Sequence, residues 1–198
     1  MRSVISFLGL VVMFASCTHP EYATREELNA YILKEENGLQ KKTESNGIQL
    51  EIRVYPTDLI LAEEIDGKNY KPSQVDSIHN KLQDIQYFRF SISRDDQEVV
   101  NALALDEDQF KRGLEYLSSG IGEDLKLIQD LDTTDVQGVM YLRGYGISRA
   151  SVLLVAFKRK LTHDDPVTVM YNDSFFNTGL TRFDFRLNDL NSIPTLIL

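Results

Sequence analysis

The sequence predicts an α+β fold, mainly an antiparallel β-sheet or sandwich with two or three helices. Three observations carry that class. Residues 48–55 alternate strictly between apolar and polar side chains, the pattern of a strand with one buried face. Beyond Leu125 the chain reads as strand-like segments at a spacing of roughly 12 to 15 residues, which suits hairpins and is too short for crossover helices. Capped, helix-patterned segments start at Thr24, Ser73 and Asp106.

Thr24-Arg25-Glu26-Glu27 is a capping-box pattern, with the hydroxyl of Thr24 set to bond the backbone three residues on. Leu28, Tyr31 and Ile32 then share one helical face, and Asn37-Gly38 stops the helix. Lys41 to Gly47 is polar and ends in an Asn-Gly turn signal. Ile48, Leu50, Ile52 and Val54 form the buried face of the first clear strand. Tyr55 to Asp58 reads as a turn, and Leu59 to Glu63 as a second strand paired antiparallel to the first. After a loop from Asp66, a helix begins at Ser73. Its stripe of Val75, Ile78, Leu82 and Ile85 should lie on the sheet.

Phe88, Phe90 and Ile92 alternate with polar residues as a strand. Arg94 to Gln97 is its turn, and Val99 to Leu105 reads as a return strand. Asp106 caps a third helix that turns Phe110, Leu114 and Leu117 inward and ends at Ser118-Ser119-Gly120. Strands follow at 125–128, 136–142, 151–157, 167–171 and 182–187. Val152 to Phe157 is apolar on both faces, which marks a central strand. Residues 24–198 make one domain on this reading.

The chain of 198 residues carries 21 Lys+Arg against 30 Asp+Glu, a net charge of −9. So acidic a chain is a poor ligand for nucleic acid and for anionic lipid. Lys158-Arg159-Lys160 is the one basic cluster, read as a solvated strand end.

Residues 1–16 differ in kind from the rest. Arg2 supplies a positive start, Val4 to Phe14 is an apolar run broken only by Ser6 and Gly9, and small residues Ala15-Ser16 precede Cys17. The apolar run, about 11 residues, is too short to span a bilayer, which takes roughly 20. This order of charge, apolar core and small residues is that of a secretory signal. Cys17 is the chain's single cysteine, so it has no disulfide partner in an oxidising compartment. The segment Phe14-Ala15-Ser16-Cys17 resembles the lipobox of bacterial lipoproteins. Ala15 and Ser16 match, and Phe14 stands where leucine is usual.

The resemblance implies a diacylglyceryl group on the Cys17 sulfur, cleavage before Cys17, and acylation of the new amine. Residues 17–23 would then be a tether. Each buried CH₂ of an acyl chain contributes about 0.8 kcal/mol, so two or three chains hold firmly. It also implies a bacterial cell-envelope location, with the outer membrane favoured because Thr18 rather than Asp follows the cysteine.

Residues for catalysis are few. His79 flanks an apolar stripe, and His163-Asp164-Asp165-Pro166 has a metal ligand set without a second histidine at metal-binding spacing. Asp130 to Asp135 starts like a calcium loop but has Asp135 and Tyr141 where such a loop needs Gly and Glu. Gly144-Tyr145-Gly146 lacks the third glycine of a dinucleotide fingerprint, Arg149 standing in its place. No nucleophile elbow or P-loop is present. No cofactor and no metal are therefore expected.

The loop from Tyr171 to Gly179 sets Phe175 and Phe176 among turn-formers. Exposed, the two rings would be a partner-binding patch; folded back, they would close one end of the sheet. The expected function is that of a membrane-anchored envelope lipoprotein, a non-enzymatic interaction or assembly subunit whose partner is another envelope protein. The alternative is a lipid-anchored hydrolase that cleaves glycan or peptide with an Asp/Glu pair. A third reading, an apolar ligand held between sheet layers, needs an internal cavity.

Overall fold

The computed structural model describes residues 22–130, 132–145, 147–160 and 166–197. The elements in order are β1 (Tyr22–Ala23), α1 (Arg25–Leu33), β2 (Gln40–Ser45), β3 (Ile48–Tyr55), α2 (Thr57–Ile65), α3 (Pro72–Leu82), β4 (Ile85–Arg94) and β5 (Gln97–Glu98). A 3₁₀ segment (Val99–Leu103) leads to α4 (Glu107–Glu115), a π-helical turn (Tyr116–Gly120) and α5 (Ile121–Asp124). Then come β6 (Leu125–Gln129), β7 (Asp132–Leu142), β8 (Ser151–Lys158), β9 (Val167–Asn172), β10 (Leu180–Phe185), α6 (Leu187–Asn191) and β11 (Thr195–Leu196). The fold is α+β, built on an antiparallel sheet.

The main sheet has the order β10-β9-β6-β7-β8-β4-β3-β2, with β5 attached to β4. Every pair in it is antiparallel. As its sequence pattern predicts, β8 is central, between β7 and β4. The long β7 pairs with β6 through its first half and with β8 through its second, across a register shift between Val136 and Gly138. Such a bulge bends a strand, and here the sheet rolls over on itself. Phe90 of β4 meets Tyr171 of β9 and Phe183 of β10 at ring distances of 5.1 and 6.2 Å, and Phe88 meets Phe185 at 5.4 Å. At the two edges, the Ser45 hydroxyl donates to the Thr178 carbonyl at 2.8 Å and Lys41 Nζ lies 5.8 Å over the Phe185 ring. The sheet is thus a nearly closed barrel. Phe88, Phe90, Phe157 and Phe185 fill its interior, the place where an apolar ligand would have to sit.

Because the strands alternate in direction, the barrel has two distinct ends. The base holds Tyr55, Ile85, Lys158 and Phe185; the crown holds Ile48, Arg94, Ser151 and Leu180. Helix α1 covers the base through buried Leu28, Tyr31 and Ile32, and its Thr24–Glu27 capping box is formed. Tyr22 and Ala23, expected in a tether, instead form β1, paired parallel to β11.

Several local expectations are corrected. Leu59 to Glu63 is helical, within α2, because Leu59, Leu61 and Ala62 turn onto the core from a helix that starts just after Pro56. A run of consecutive apolar residues fits a helix as well as a strand. Helix α3 starts close to where predicted but packs on α2, with none of its residues buried, and Ile85 belongs to β4. Residues 99–103 turn into a 3₁₀ segment rather than a strand, so only Gln97 and Glu98 return along β4. Ser118-Ser119-Gly120 does not end the third helix; the Ser118 and Ser119 hydroxyls donate back to the carbonyls of Leu114 and Glu115 as it passes through the π turn. The polar stretch Lys41 to Gly47, assigned no strand from its sequence, contributes its first five residues to edge strand β2.

Candidate functional site

The crown gathers residues that are far apart in the chain around Asp173, in the loop after β9. Its Oδ1 accepts the Tyr171 hydroxyl at 3.0 Å and the backbone N–H groups of Phe175 and Phe176, both at 2.9 Å. Its Oδ2 accepts the N–H and hydroxyl of Thr178 at 2.6 and 2.8 Å. Both oxygens are fully used, and the loop is wound around them. Asp124, at the end of α5, performs a similar task from the other side. Its Oδ2 accepts the Tyr116 hydroxyl at 2.6 Å and both the N–H and the hydroxyl of Ser174.

Tyr116 and Tyr171 join the two carboxylates, their oxygens 3.0 Å apart. Two phenolic protons thus serve three short contacts. Burial, reinforced by Asp124, raises Tyr116 well above the ordinary phenol range. Burial, then Tyr116 and Asp173, does the same to Tyr171. Both phenols therefore stay neutral hydrogen-bond donors. With Asp124 and Asp173 committed to internal bonds, neither is placed as the free acid or base a hydrolase would need.

This network decides the fate of the aromatic pair. Phe176 is buried at 8% exposure, and Phe175 is half-buried against the core. Phe175 stacks on Tyr116 with ring centroids 5.1 Å apart, while Phe176 meets both rings edge-on. The two rings thus fold back and close the crown. What they still show to solvent is one wall of a cleft of about 380 Å³, whose other walls include Ile48, Val99 and Leu103. Arg94, Asp106, Gln109 and Asn177 supply its polar rim. Leu105 stands fully exposed at its edge. Gly113 of α4 makes the close packing possible, since a Cβ there would come within 2.9 Å of Leu103 and 3.5 Å of Phe175.

The other predicted positions are dispersed. Cys17 and His163-Asp164-Asp165 lie outside the described residues. Asp132 pairs with Lys160 and Asp135 with Lys126, so these acids brace strand ends. Lys158 ends β8, and the Arg159 N–H bonds the Asp84 carbonyl. His79 lies 3.8 Å from Asp58 on the surface of the base. Among the described residues no group of three or more His, Cys, Asp or Glu is placed to hold a metal ion, and no helix is long and apolar enough to cross a membrane. Tyr116, Asp124 and Asp173 were not singled out in the sequence. The available signal was local: an acid two residues beyond a strand, followed by Ser, Asn, Thr and Gly, is a loop-winding pattern. No family model, curated protein or solved structure matches this chain.

Proposed function

We propose that this is a lipid-anchored protein of the bacterial envelope, tethered through Cys17, and that it serves as a non-enzymatic interaction or assembly subunit. One observation supports this beyond the lipobox resemblance: the chain enters the domain at the base, and the cleft lies at the crown. Residue 22 pairs with residue 195 beside α1 and α2. Tyr22 lies five residues after Cys17, a reach of at most about 18 Å. An eight-residue strand such as β3, tilted as barrel strands are, then carries the crown roughly 20 Å further out. Lipid on Cys17 would hold the base near the bilayer and display the Phe175–Phe176 cleft away from it, toward another envelope protein.

Cys17→Ala should abolish acyl-chain labelling and move the protein from the membrane fraction to the soluble fraction. Retention in the membrane with unchanged mass and labelling would refute the anchor. For the partner-facing crown, a photo-crosslinking residue at Leu105 should yield a discrete adduct in intact cells, and one at Glu64 on the base should not. Equal adducts at both positions, or none at Leu105, would count against the assignment of the crown.

A further inference from the structure

On the crown, next to the cleft, a second cavity of about 440 Å³ opens between α4, β7 and the hairpin of β4 and β5. Glu98 forms part of its wall at only 5% exposure. One carboxylate oxygen, Oε1, accepts the Gly144 N–H at 2.9 Å. The other has no hydrogen-bond partner among the described residues, and no Lys, Arg or His there forms an ion pair with Glu98. That second oxygen stays open to solvent, so it presents a negative charge, fixed by the Gly144 bond, that a cation entering the cavity can meet directly.

The remaining walls suit that arrival. Phe110, Leu114, Tyr141 and Tyr145 line the space, and aromatic faces attract ammonium and guanidinium groups. The carboxylate is also held in position. A Cβ on Gly144 would come within 2.4 Å of Glu98 Oε1 and 2.3 Å of Ser148 Cβ, so this loop can close on the acid only with glycine there. The next residue, Tyr145, takes a left-handed backbone at φ 49°, an unfavourable conformation for a tyrosine; it lines the cavity and is 81% exposed. Arg143 shares the lining and is itself exposed.

We infer that this cavity is a binding site for a cationic nitrogen, an ammonium or guanidinium at the end of an apolar stem, with Glu98 as its counter-ion and Tyr141 and Tyr145 as its aromatic walls. The inference does not depend on lipid at Cys17. The cation has two sources, a free amine or a Lys or Arg side chain of a bound protein.

Calorimetric titration of the purified full chain tests the site with three probes: agmatine, a capped glycine-serine peptide with one internal arginine, and the same peptide with citrulline in its place. Binding of agmatine, of the arginine peptide, or of both supports the site, and which of them binds distinguishes the free amine from the protein side chain. The citrulline peptide should bind at least about tenfold more weakly than its arginine counterpart. Glu98→Gln, which keeps the acceptor for Gly144, should weaken the cation by about tenfold or more. Tyr145→Ala alters an exposed ring and so spares the fold; it should weaken binding about threefold. Failure of both cations to bind at ~10 mM, a range that excludes even weak sites, would overturn the inference. Unchanged affinity in a folded Glu98→Gln would do the same. Should that variant not fold, unchanged affinity in Tyr145→Ala is the overturning result.

Discussion

Replacing Asp173 with alanine is expected to destabilise the protein by about 3 kcal/mol and lower Tm by roughly 6–12 °C. The variant removes the acceptor of five hydrogen bonds at once, from Tyr171, Phe175, Phe176 and, twice, Thr178. Phe176 and Thr178 are buried, so their N–H groups cannot all turn to water. The damage should concentrate in residues 173–179, where hydrogen exchange rises before it does in β4 or β8. Loss of Phe176 from its seat also removes a wall of the crown cleft.

The same carboxylate gives the effect a pH signature. Burial by itself would raise Asp173, but the N–H groups of Thr178, Phe176 and Phe175 outweigh it and hold the acid below its usual 3.8. A group whose folded pKa is depressed stabilises the fold above its unfolded value, and that contribution is lost as pH falls through the folded value. Thermal melts should therefore show the gap between wild type and Asp173→Ala fully open above about pH 5 and closing as the pH drops below about 4. A gap that stays constant down to pH ~2 would contradict the assignment.

Phe90→Ala should cost about 4 kcal/mol, at the level of other buried aromatic truncations, and roughly 8–16 °C in Tm. Phe90 is fully buried, in the middle of the rolled sheet, and its ring touches both Tyr171 and Phe183 from the opposite wall. No neighbouring element can collapse into the space without unrolling the sheet. Phe90→Leu keeps most of the volume and should cost only about 1–2 kcal/mol. Unlike the Asp173 change, the loss should be global, with β3, β4 and β8 losing exchange protection together. A Phe90→Ala melt within 2 °C of wild type, far below the shift that about 4 kcal/mol implies, would mean that the two walls of the barrel do not meet there.

These two residues also mark what the sequence makes legible. Phe90 sits in a clean alternation, and its burial follows from period 2 alone. The same holds for Ile48 to Val54 and for the doubly apolar β8. Edge strand β2 has no such pattern, because its side chains stay mostly in solvent. Its clue was the Asn46-Gly47 pair, both residues left-handed, a two-residue hairpin turn that implies a strand on each side. Helix α2 escaped because Leu59-Ile60-Leu61-Ala62 carries no period. The pairings β4–β8 and β6–β9 bridge long stretches of chain, and nothing local encodes them. The crown network lay hidden for that reason. Asp124 and Ser174 meet across 50 residues, and only the rolled sheet brings them together.

The pairing of β1 with β11 has a consequence for timing. Residue 22 finds its partner at residue 195, the Tyr31 hydroxyl reaches the Ser192 carbonyl, and Asp58 receives the Leu196 N–H. The base therefore cannot close while the ribosome is still making the last strand. Contacts of such long range form slowly, so closure of the base waits on residues 192–196 even where the strands of the barrel have already paired.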